Sequence, residues 1–244
     1  MLVLRSLLFN FIMVSSVTVY ALLSICTFPF PPIMRYRFIS HWARFIIWVL
    51  KVLCDLDYVL EGSEHLPKTP SIILSKHQST WETLAFQQIF PPQVWVLKSE
   101  LLWLPFFGWG LAMTQPIAIN RNDRKKAMDQ IVEQGRDRLA TGRCVVVFPE
   151  GTRVAVDEKR RYGIGGAVLA ARTGYPVVPV AHNAGYFWPR RGFIKRPGTI
   201  RVVIGPTIIS QGKTAEEIRQ MVETWIETTM TRLKDEATRV SKIL

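Results

Sequence analysis

The sequence predicts an α/β fold with a mixed, mainly parallel sheet flanked by helices, together with an N-terminal membrane-binding helical arm. Two observations predict this fold. From about residue 57 onward, short apolar runs alternate with longer amphipathic segments, and strands that alternate with helices build one sheet covered on both faces. Before that point the chain has long apolar stretches with few charges. We therefore expect an arm at residues 1–56, made of a membrane anchor and an interfacial helix, and one domain at residues 57–244.

The arm begins with an apolar segment that is long enough to cross a membrane. Residues 6–34 contain no charged side chain, and a transmembrane helix needs about 20 apolar residues. The segment is too long for a signal peptide, and no Ala-x-Ala cleavage site follows it. A second apolar stretch, residues 38–56, mixes tryptophan with arginine and lysine, which is typical of an interfacial helix. Arginines flank the first segment on both sides, so the sequence fits a single span and a hairpin equally.

Several short segments after the arm are predicted strands, because they are continuously apolar or alternate in polarity and end at turn residues. In order, they cover residues 57–62, 71–76, 93–98, 116–120, 144–148, 176–181 and 199–205. Four helices are predicted. The first covers residues 79–90 and has Ser79 or Thr80 as its N-cap, and the second, residues 123–140, is polar and amphipathic. The third, residues 162–172, is rich in small residues, and the last, residues 214–240, is long and amphipathic. Residues 101–113 are more apolar than a connection requires, which fits core, the wall of a groove, or contact with a bilayer.

The charge of the chain indicates an anionic partner. The formal net charge is +12 and the isoelectric point is near 10. The chain has no zinc-ligand spacing, RNA-binding strand motif or basic coiled-coil helix, so we expect membrane lipids and no nucleic acid. Cys26, Cys54 and Cys144 are too few and too far apart for a disulfide framework. We expect them to be buried reduced thiols of a domain in the cytosol.

A histidine and a carboxylate follow the second predicted strand. Histidine is a common general base at neutral pH, and a carboxylate bound to its second ring nitrogen fixes the tautomer. On one continuous helix His77 and Glu82 would point about 140° apart, so they can meet only if His77 lies in a loop and Glu82 in the first helical turn. Alternatively, Ser79 and Glu82 form a capping box, in which the glutamate binds the Ser79 amide. His182, farther along the chain, is expected to be an ordinary core histidine.

A second motif follows the fifth predicted strand. Its sequence is Phe148-Pro149-Glu150-Gly151-Thr152-Arg153. Gly151 permits a tight turn, and the planar guanidinium of Arg153 matches phosphate oxygens. Glu150 can accept a hydrogen bond from a substrate hydroxyl or orient Arg153. Two further cations, at or just after the ends of other strands, are Lys98 and Arg121. If these strands are parallel, all of these side chains lie at one edge of the sheet.

Together the two motifs resemble those of the 1-acylglycerol-3-phosphate acyltransferase family, which pairs His-x4-Asp with Phe-Pro-Glu-Gly-Thr-Arg. Residues 98–101 and 119–121 resemble two further blocks of the family more loosely, and residues 176–180 look like its fourth block, so the resemblance covers most of residues 57–205. The chain departs from the pattern at Glu82, where the family usually has aspartate. It departs again at Asn120, where an aspartate usually precedes the arginine.

The resemblance implies an enzyme that moves a fatty acyl group from acyl-CoA or acyl carrier protein to the sn-2 hydroxyl of lysophosphatidic acid, giving phosphatidic acid. The acceptor hydroxyl would attack the donor directly. His77 and Glu82 would be catalytic. The acceptor would be bound by Glu150, Gly151, Thr152, Arg153, Arg121 and Lys98. We expect no metal, and no cofactor besides the acyl donor.

The expected partners are lysophosphatidic acid, the acyl donor and membrane lipids. The expected location is the bacterial inner membrane, with the active site facing the cytoplasm. Basic clusters at residues 160–161 and 190–196 would meet lipid headgroups, acyl carrier protein or the phosphates of coenzyme A. Two alternatives stay open: an acyltransferase for another lysolipid, such as a lyso-ornithine lipid, and a non-catalytic membrane scaffold that binds acyl carrier protein. A scaffold needs neither motif, and a lipid hydrolase would need a Gly-x-Ser-x-Gly turn, which the chain lacks.

Overall fold

The computed structural model describes residues 1–120, 123–156 and 158–243, without the side chains of residue 124 and residues 236–243. Within this part of the chain, one sheet contains seven strands. They are β1 (Leu56–Glu61), β2 (Ile72–Ser75), β3 (Gln93–Lys98), β4 (Ile117–Ile119), β5 (Cys144–Val147), β6 (Val177–His182) and β7 (Gly198–Ile204). The strand order is β1-β7-β6-β2-β5-β3-β4, and every pair of neighbours is parallel except β6 and β7. The predicted mixed, mainly parallel sheet is confirmed.

Helices cover both faces of the sheet, as predicted. They are α1 (Leu2–Ile25), α2 (Pro32–Cys54), α3 (Trp81–Ile89), α4 (Phe107–Met113), α5 (Arg124–Ala140), α6 (Gly165–Thr173), α7 (Ala184–Phe187) and α8 (Ala215–Ile243). Short 3-10 helices occupy Ser63–His65 and Ser99–Trp103. On one face α2 packs against α1 and α3, and on the other face α6 packs against α5 and α8.

Alternation of side chains along the strands divides the hydrophobic core into two layers. In β2, Ile73 packs in the layer beneath α2 and α3, whereas Ile72 and Leu74 pack in the layer beneath α5, α6 and α8. A strand covered on both faces must be apolar at nearly every position. For this reason β2 and β5 are nearly continuous apolar runs.

Two details differ from the predicted elements. The helix predicted from residue 162 begins at Gly165, because the Gly163 amide still donates to the Pro149 carbonyl over 2.7 Å and holds the chain in a loop. The short helix α7 is absent from the prediction, since four residues cannot show helical periodicity. Residues 101–113 span the end of the second 3-10 helix, a short connection at residues 104–106, and α4.

The helix α1 lies against the domain along its length. Near its start the Phe9 ring contacts Trp188, with ring centroids 5.4 Å apart. Near its end Ala21 closely approaches Gly110 of α4. Within the described residues, α1 is the one helix long and apolar enough to cross a membrane. Its outward face, which includes Phe11, is exposed and apolar.

The second helix of the arm joins the core of the domain. Ile46 and Leu50 of α2 are fully buried, in the same cluster as Trp81 and Phe86 of α3. The arm and the domain therefore share one hydrophobic core. The predicted division at residue 56 stays a prediction.

The cysteines are free thiols. Cys54 and Cys144 are buried as predicted, whereas Cys26 is exposed. The prediction is wrong for Cys26 because this residue follows α1, where the chain turns outside the packed helices.

Candidate active site

The two motifs lie side by side at the carboxyl edge of the sheet. β2 and β5 are adjacent and parallel, with Leu74 opposite Val147, so the loops that follow them leave the sheet at the same end. The His77 ring stacks on Phe148, with ring centroids 3.9 Å apart and 12° between the planes. The Val154 amide also donates to the His77 carbonyl over 2.8 Å. The predicted convergence of both motifs at one edge is confirmed.

His77 and Glu82 are in contact. Nδ1 of His77 lies 2.9 Å from Oε1 of Glu82, with His77 in the loop after β2 and Glu82 in the first turn of α3, which is the predicted placement. The same Oε1 accepts hydrogen bonds from the amides of Gln78 and Ser79, at 2.8 Å each. The His–Glu pair and the helix-capping bond therefore occur together, since one carboxylate oxygen serves the imidazole and the start of the helix.

The Glu82 carboxyl is ionised although it is fully buried. Burial raises its pKa, but His182, His77 and the Ser79 amide together lower the pKa by more. An ionised carboxylate accepts the proton on Nδ1 of His77, which leaves Nε2 as the basic nitrogen. His77 lines the adjoining cavity, so Nε2 is the nitrogen that can meet a substrate hydroxyl.

His182 is a buried neighbour of the pair, with both of its ring nitrogens engaged. Nε2 donates to the Lys76 carbonyl over 2.9 Å, and Nδ1 accepts from the Ala184 amide over 3.3 Å. The His182 ring also lies close to Glu82, with Nε2 4.0 Å from Oε2. Burial lowers the pKa of His182, and the charge of Glu82 opposes that shift. These bonds confirm the expectation of a hydrogen-bonded core histidine.

The second motif forms the turn after β5. Gly151 has a φ of +69°, a backbone conformation that favours glycine. Thr152 and Arg153 follow it and line the cavity, and Arg153 is half-buried. Burial lowers the pKa of Arg153, the charge of Glu82 opposes that shift, and Arg190 adds to it. Among the described residues, Nε of Arg153 has no hydrogen-bond partner. A bound anion would supply one.

Glu150 is buried and turned toward the first motif. Its Oε2 accepts a hydrogen bond from the His77 amide over 2.8 Å, and its Oε1 lies 2.7 Å from Nζ of Lys76. In the described part of the chain, Glu150 is not among the residues that line the cavity, whereas Gly151 is. The predicted contact of Glu150 with an acceptor stays a prediction, and its observed bonds join the two motifs to each other.

The cavity in front of His77 has a volume of about 740 Å³. Its apolar lining residues come from the arm and neighbouring helices and include Val17, Ala21, Trp42, Leu84, Leu111 and Ile131. Its cationic lining residues are Lys98, Arg153, Arg190 and Arg191. No aspartate or glutamate of the described residues lines it. A ligand with an apolar tail and an anionic head would match both kinds of lining residue. Residues 101–113 contribute to the apolar wall through Leu111, and Trp103 nearby is 84% exposed.

The structure separates the cations that the sequence singles out. Lys98 is exposed and lines the cavity at the end of β3, whereas Arg121 lies outside the described residues. Arg190 belongs to the cluster expected to meet the donor or lipid headgroups, and it lies beside Arg153. Lys195 of that cluster is 1% exposed, and its Nζ donates to Asn10 of α1 over 2.7 Å. The expectation that Lys195 meets a partner is wrong, because it holds the arm instead.

Comparison with known proteins agrees with this geometry. The sequence model of the family described as Acyltransferase matches residues 58–183, about half of the chain. The 1-acyl-sn-glycerol-3-phosphate acyltransferase of Pseudomonas aeruginosa is 44% identical over 242 residues, which cover 97% of this chain and 94% of the relative. The chain belongs to the 1-acyl-sn-glycerol-3-phosphate acyltransferase family. The relative of that name from Saccharomyces cerevisiae is 31% identical over 200 residues, covering 76% of this chain and 66% of the yeast protein.

The fold of this acyltransferase also matches a solved structure. The crystal structure of the 1-acyl-sn-glycerophosphate (LPA) acyltransferase PlsC from Thermotoga maritima superposes with a TM-score of 0.79, at 23% identity, over 96% of each chain. At that identity the likeness concerns the fold. The resemblance predicted from the two motifs is confirmed, and the chain is an enzyme of the family, in contrast to the scaffold alternative.

Proposed function

We propose that this acyltransferase moves a fatty acyl group from a thioester, acyl-CoA or acyl carrier protein, to the sn-2 hydroxyl of lysophosphatidic acid, giving phosphatidic acid. The observation that carries the proposal is the His77–Glu82 pair at the wall of a cavity that is lined by both apolar side chains and cations. A lysophospholipid combines a phosphate with an acyl chain, so it matches both kinds of lining residue.

The proposed chemistry is direct transfer with His77 as the general base. Nε2 of His77 removes the proton of the 2-hydroxyl while that oxygen attacks the thioester carbonyl and forms the new C–O bond. Collapse of the tetrahedral intermediate breaks the C–S bond, and the imidazolium returns the proton to the leaving thiolate. The Glu82 carboxylate orients the ring and stabilises the imidazolium. This scheme requires no cofactor besides the thioester.

We assign the acceptor phosphate to the cations of the cavity wall. Arg190 lies close enough to Arg153 to lower the pKa of its guanidinium, and a bound phosphate would oppose that shift. A guanidinium binds phosphate through two parallel hydrogen bonds, and Lys98 adds a point charge. Arg121 is a further candidate from its sequence position, and the backbone turn at Gly151 and Thr152 borders the same space.

We propose that the arm binds the membrane surface and does not project across the bilayer. The outward face of α1 is apolar, and Trp48 of α2 and Trp103 are exposed, as is typical of an interfacial surface. If α1 crossed the bilayer, the side chains that pack against it would have to enter the bilayer too. These include Trp188, which contacts Phe9, and Lys195, whose ammonium donates a hydrogen bond to Asn10. The proposed location is the cytoplasmic face of the bacterial inner membrane.

Acyl transfer by the purified protein in detergent micelles tests this function. The donors are acyl-CoA and acyl carrier protein, and the acceptors are lysophosphatidic acid, its dephosphorylated counterpart monoacylglycerol, and a lyso-ornithine lipid. We expect phosphatidic acid to form much faster than either other product. If the lyso-ornithine lipid is acylated faster than lysophosphatidic acid, the lyso-ornithine lipid is the acceptor instead. If no acyl group is transferred from either donor, the proposal is refuted.

A further inference from the structure

A network of buried charges lies directly behind the proposed base. Lys76, the residue before His77, is 2% exposed. Its ammonium lies 2.7 Å from Oε1 of Glu150 and 2.8 Å from Oε1 of Glu227 on α8. The Tyr162 hydroxyl donates to the same Glu227 oxygen over 2.9 Å. The network therefore joins the first motif, the second motif and the C-terminal helix.

The position of Glu150 explains what this network can do. Its second oxygen accepts a hydrogen bond from the His77 amide over 2.8 Å, so this carboxylate bonds to the backbone of the residue that carries the imidazole. The side chain of His77 is in turn held by Glu82. His77 is thus fixed at two points, its backbone by Glu150 and its ring by Glu82.

Stability alone does not account for such a network. Removing charges from water costs several kcal/mol per ion, and apolar residues of similar volume often replace a buried ion pair with no loss of stability. The carboxylate of Glu150 would not stay ionised at this depth without a cation beside it. Burial raises the pKa of Glu150, and Lys76 acts against that shift.

We propose that Lys76 is a positioning residue for the acyl transfer, which keeps the Glu150 carboxylate charged and directed at the His77 amide while Glu227 of α8 holds the lysine in place. This inference rests on the proposed function, because it assigns His77 as the base that must be held. A neutral Glu150 would bind the amide more weakly, since hydrogen bonds to charged acceptors are roughly twice as strong as neutral ones. The loop that carries His77 would then sample positions in which Nε2 misses the hydroxyl.

The charges around Glu150 determine how the activity should respond to pH. Burial raises the pKa of Glu150, and Lys76 and His77 act against that shift. Glu227 and Tyr162 face the same network from α8 and from the loop before α6, and Glu223 lies near Tyr162. Burial raises the pKa of Tyr162, so its hydroxyl stays a donor. Removing the positive charge of Lys76 should raise the pKa of Glu150, and removing the negative charge of Glu227 should lower it.

The test compares the pH dependence of kcat in Lys76→Met, Glu227→Gln and wild type, with thermal unfolding as a check on folding. For Lys76→Met we expect kcat to fall by about tenfold or more at pH 7, with a smaller change in donor KM. The acid limb, which is the part of the pH profile where kcat falls as the pH is lowered, should move to higher pH. In Glu227→Gln the amide oxygen can still accept the hydrogen bond of Lys76 and only the negative charge is lost, so we expect the acid limb to move to lower pH. The matched control is Lys51→Met, because Lys51 forms a 2.6 Å ion pair with Asp57 at the surface; its profile should equal that of wild type.

A double variant separates positioning from a direct effect of the Lys76 charge on His77. In a Glu150→Gln background the charge on residue 150 is gone, so Lys76→Met should displace the acid limb by less than it does in wild type. An unchanged displacement in that background, or Lys76→Met with wild-type kcat and profile, would overturn the inference. If Lys76→Met does not fold, Glu227→Gln still decides, since an acid limb that moves to higher pH or stays in place contradicts the assigned charges. An inactive wild type would instead count against the proposed function.

Discussion

Replacing Arg153 gives a direct test of acceptor recognition. Its guanidinium is half-buried in the cavity wall, its Nε has no hydrogen-bond partner among the described residues, and Arg190 lies near it. A hydrogen bond to a charged group contributes about 1.5–3 kcal/mol, and each 1.4 kcal/mol is about a tenfold change in affinity. Arg153→Ala should therefore weaken use of lysophosphatidic acid by about ten- to a hundredfold. Arg153→Lys keeps the charge but loses the planar fork, so its loss should be closer to tenfold.

The assay compares lysophosphatidic acid with monoacylglycerol as acceptors, at saturating donor. The loss should appear mainly in acceptor KM, provided that the contact is the same in the ground state and the transition state. Arg172→Ala is the control, because Arg172 is an exposed arginine that pairs with Asp129 at 3.7 Å on the surface. If Arg153→Ala preserves the wild-type ratio of activity on the two acceptors, Arg153 does not bind the phosphate.

The pairing of Glu82 with His77 should be visible in kcat. Glu82→Gln keeps an oxygen for the amides of Gln78 and Ser79 but removes the charge that stabilises the imidazolium. The kcat should therefore fall, but by less than in His77→Ala. An unchanged kcat would show that Glu82 acts only as a helix cap. Membrane binding by the arm should depend on exposed apolar side chains: Phe11→Ser should reduce cosedimentation with lipid vesicles and leave the unfolding temperature unchanged, because Phe11 is 68% exposed. The burial of Lys195 should affect stability, since it lowers the pKa of this lysine to about 8 from 10.5. Between about pH 8 and pH 10.5 the unfolded chain therefore binds more protons than the folded chain. Wild type should then gain stability relative to Lys195→Met as the pH rises through this range, measured by the unfolding temperature. A difference in unfolding temperature that does not change with pH would contradict the burial of a charged Lys195.

The sequence was sufficient for features that depend on neighbouring residues. Strands such as β3 follow from local apolar runs, and the contact of His77 with Glu82 follows from the geometry of a loop that enters a helix. The capping bond and the His–Glu pair were alternatives in the sequence, because each uses a different donor. The structure shows that Oε1 of Glu82 accepts both, which no spacing rule can reveal.

Features that depend on distant residues could not be predicted. The partners of Lys76 come from the turn after β5 and from α8, and Glu227 is 151 residues away along the chain. A lysine at the end of an apolar strand has the same local sequence whether it reaches solvent or a buried carboxylate. Lys195 is a similar case: its basic neighbours suggest a surface cluster, but packing of α1 against the domain encloses its ammonium near Trp188, 4.7 Å from the ring centroid.

The turnover of His77→Ala tests the central claim most directly. The assay uses lysophosphatidic acid and acyl-CoA in detergent micelles, with unfolding temperature and vesicle binding measured on the same preparation. Because general-base catalysis contributes about 10²- to 10⁴-fold, kcat should fall at least about a hundredfold, while folding and membrane attachment stay as in wild type. A folded His77→Ala enzyme with near-normal kcat would contradict the assignment of His77 as the base.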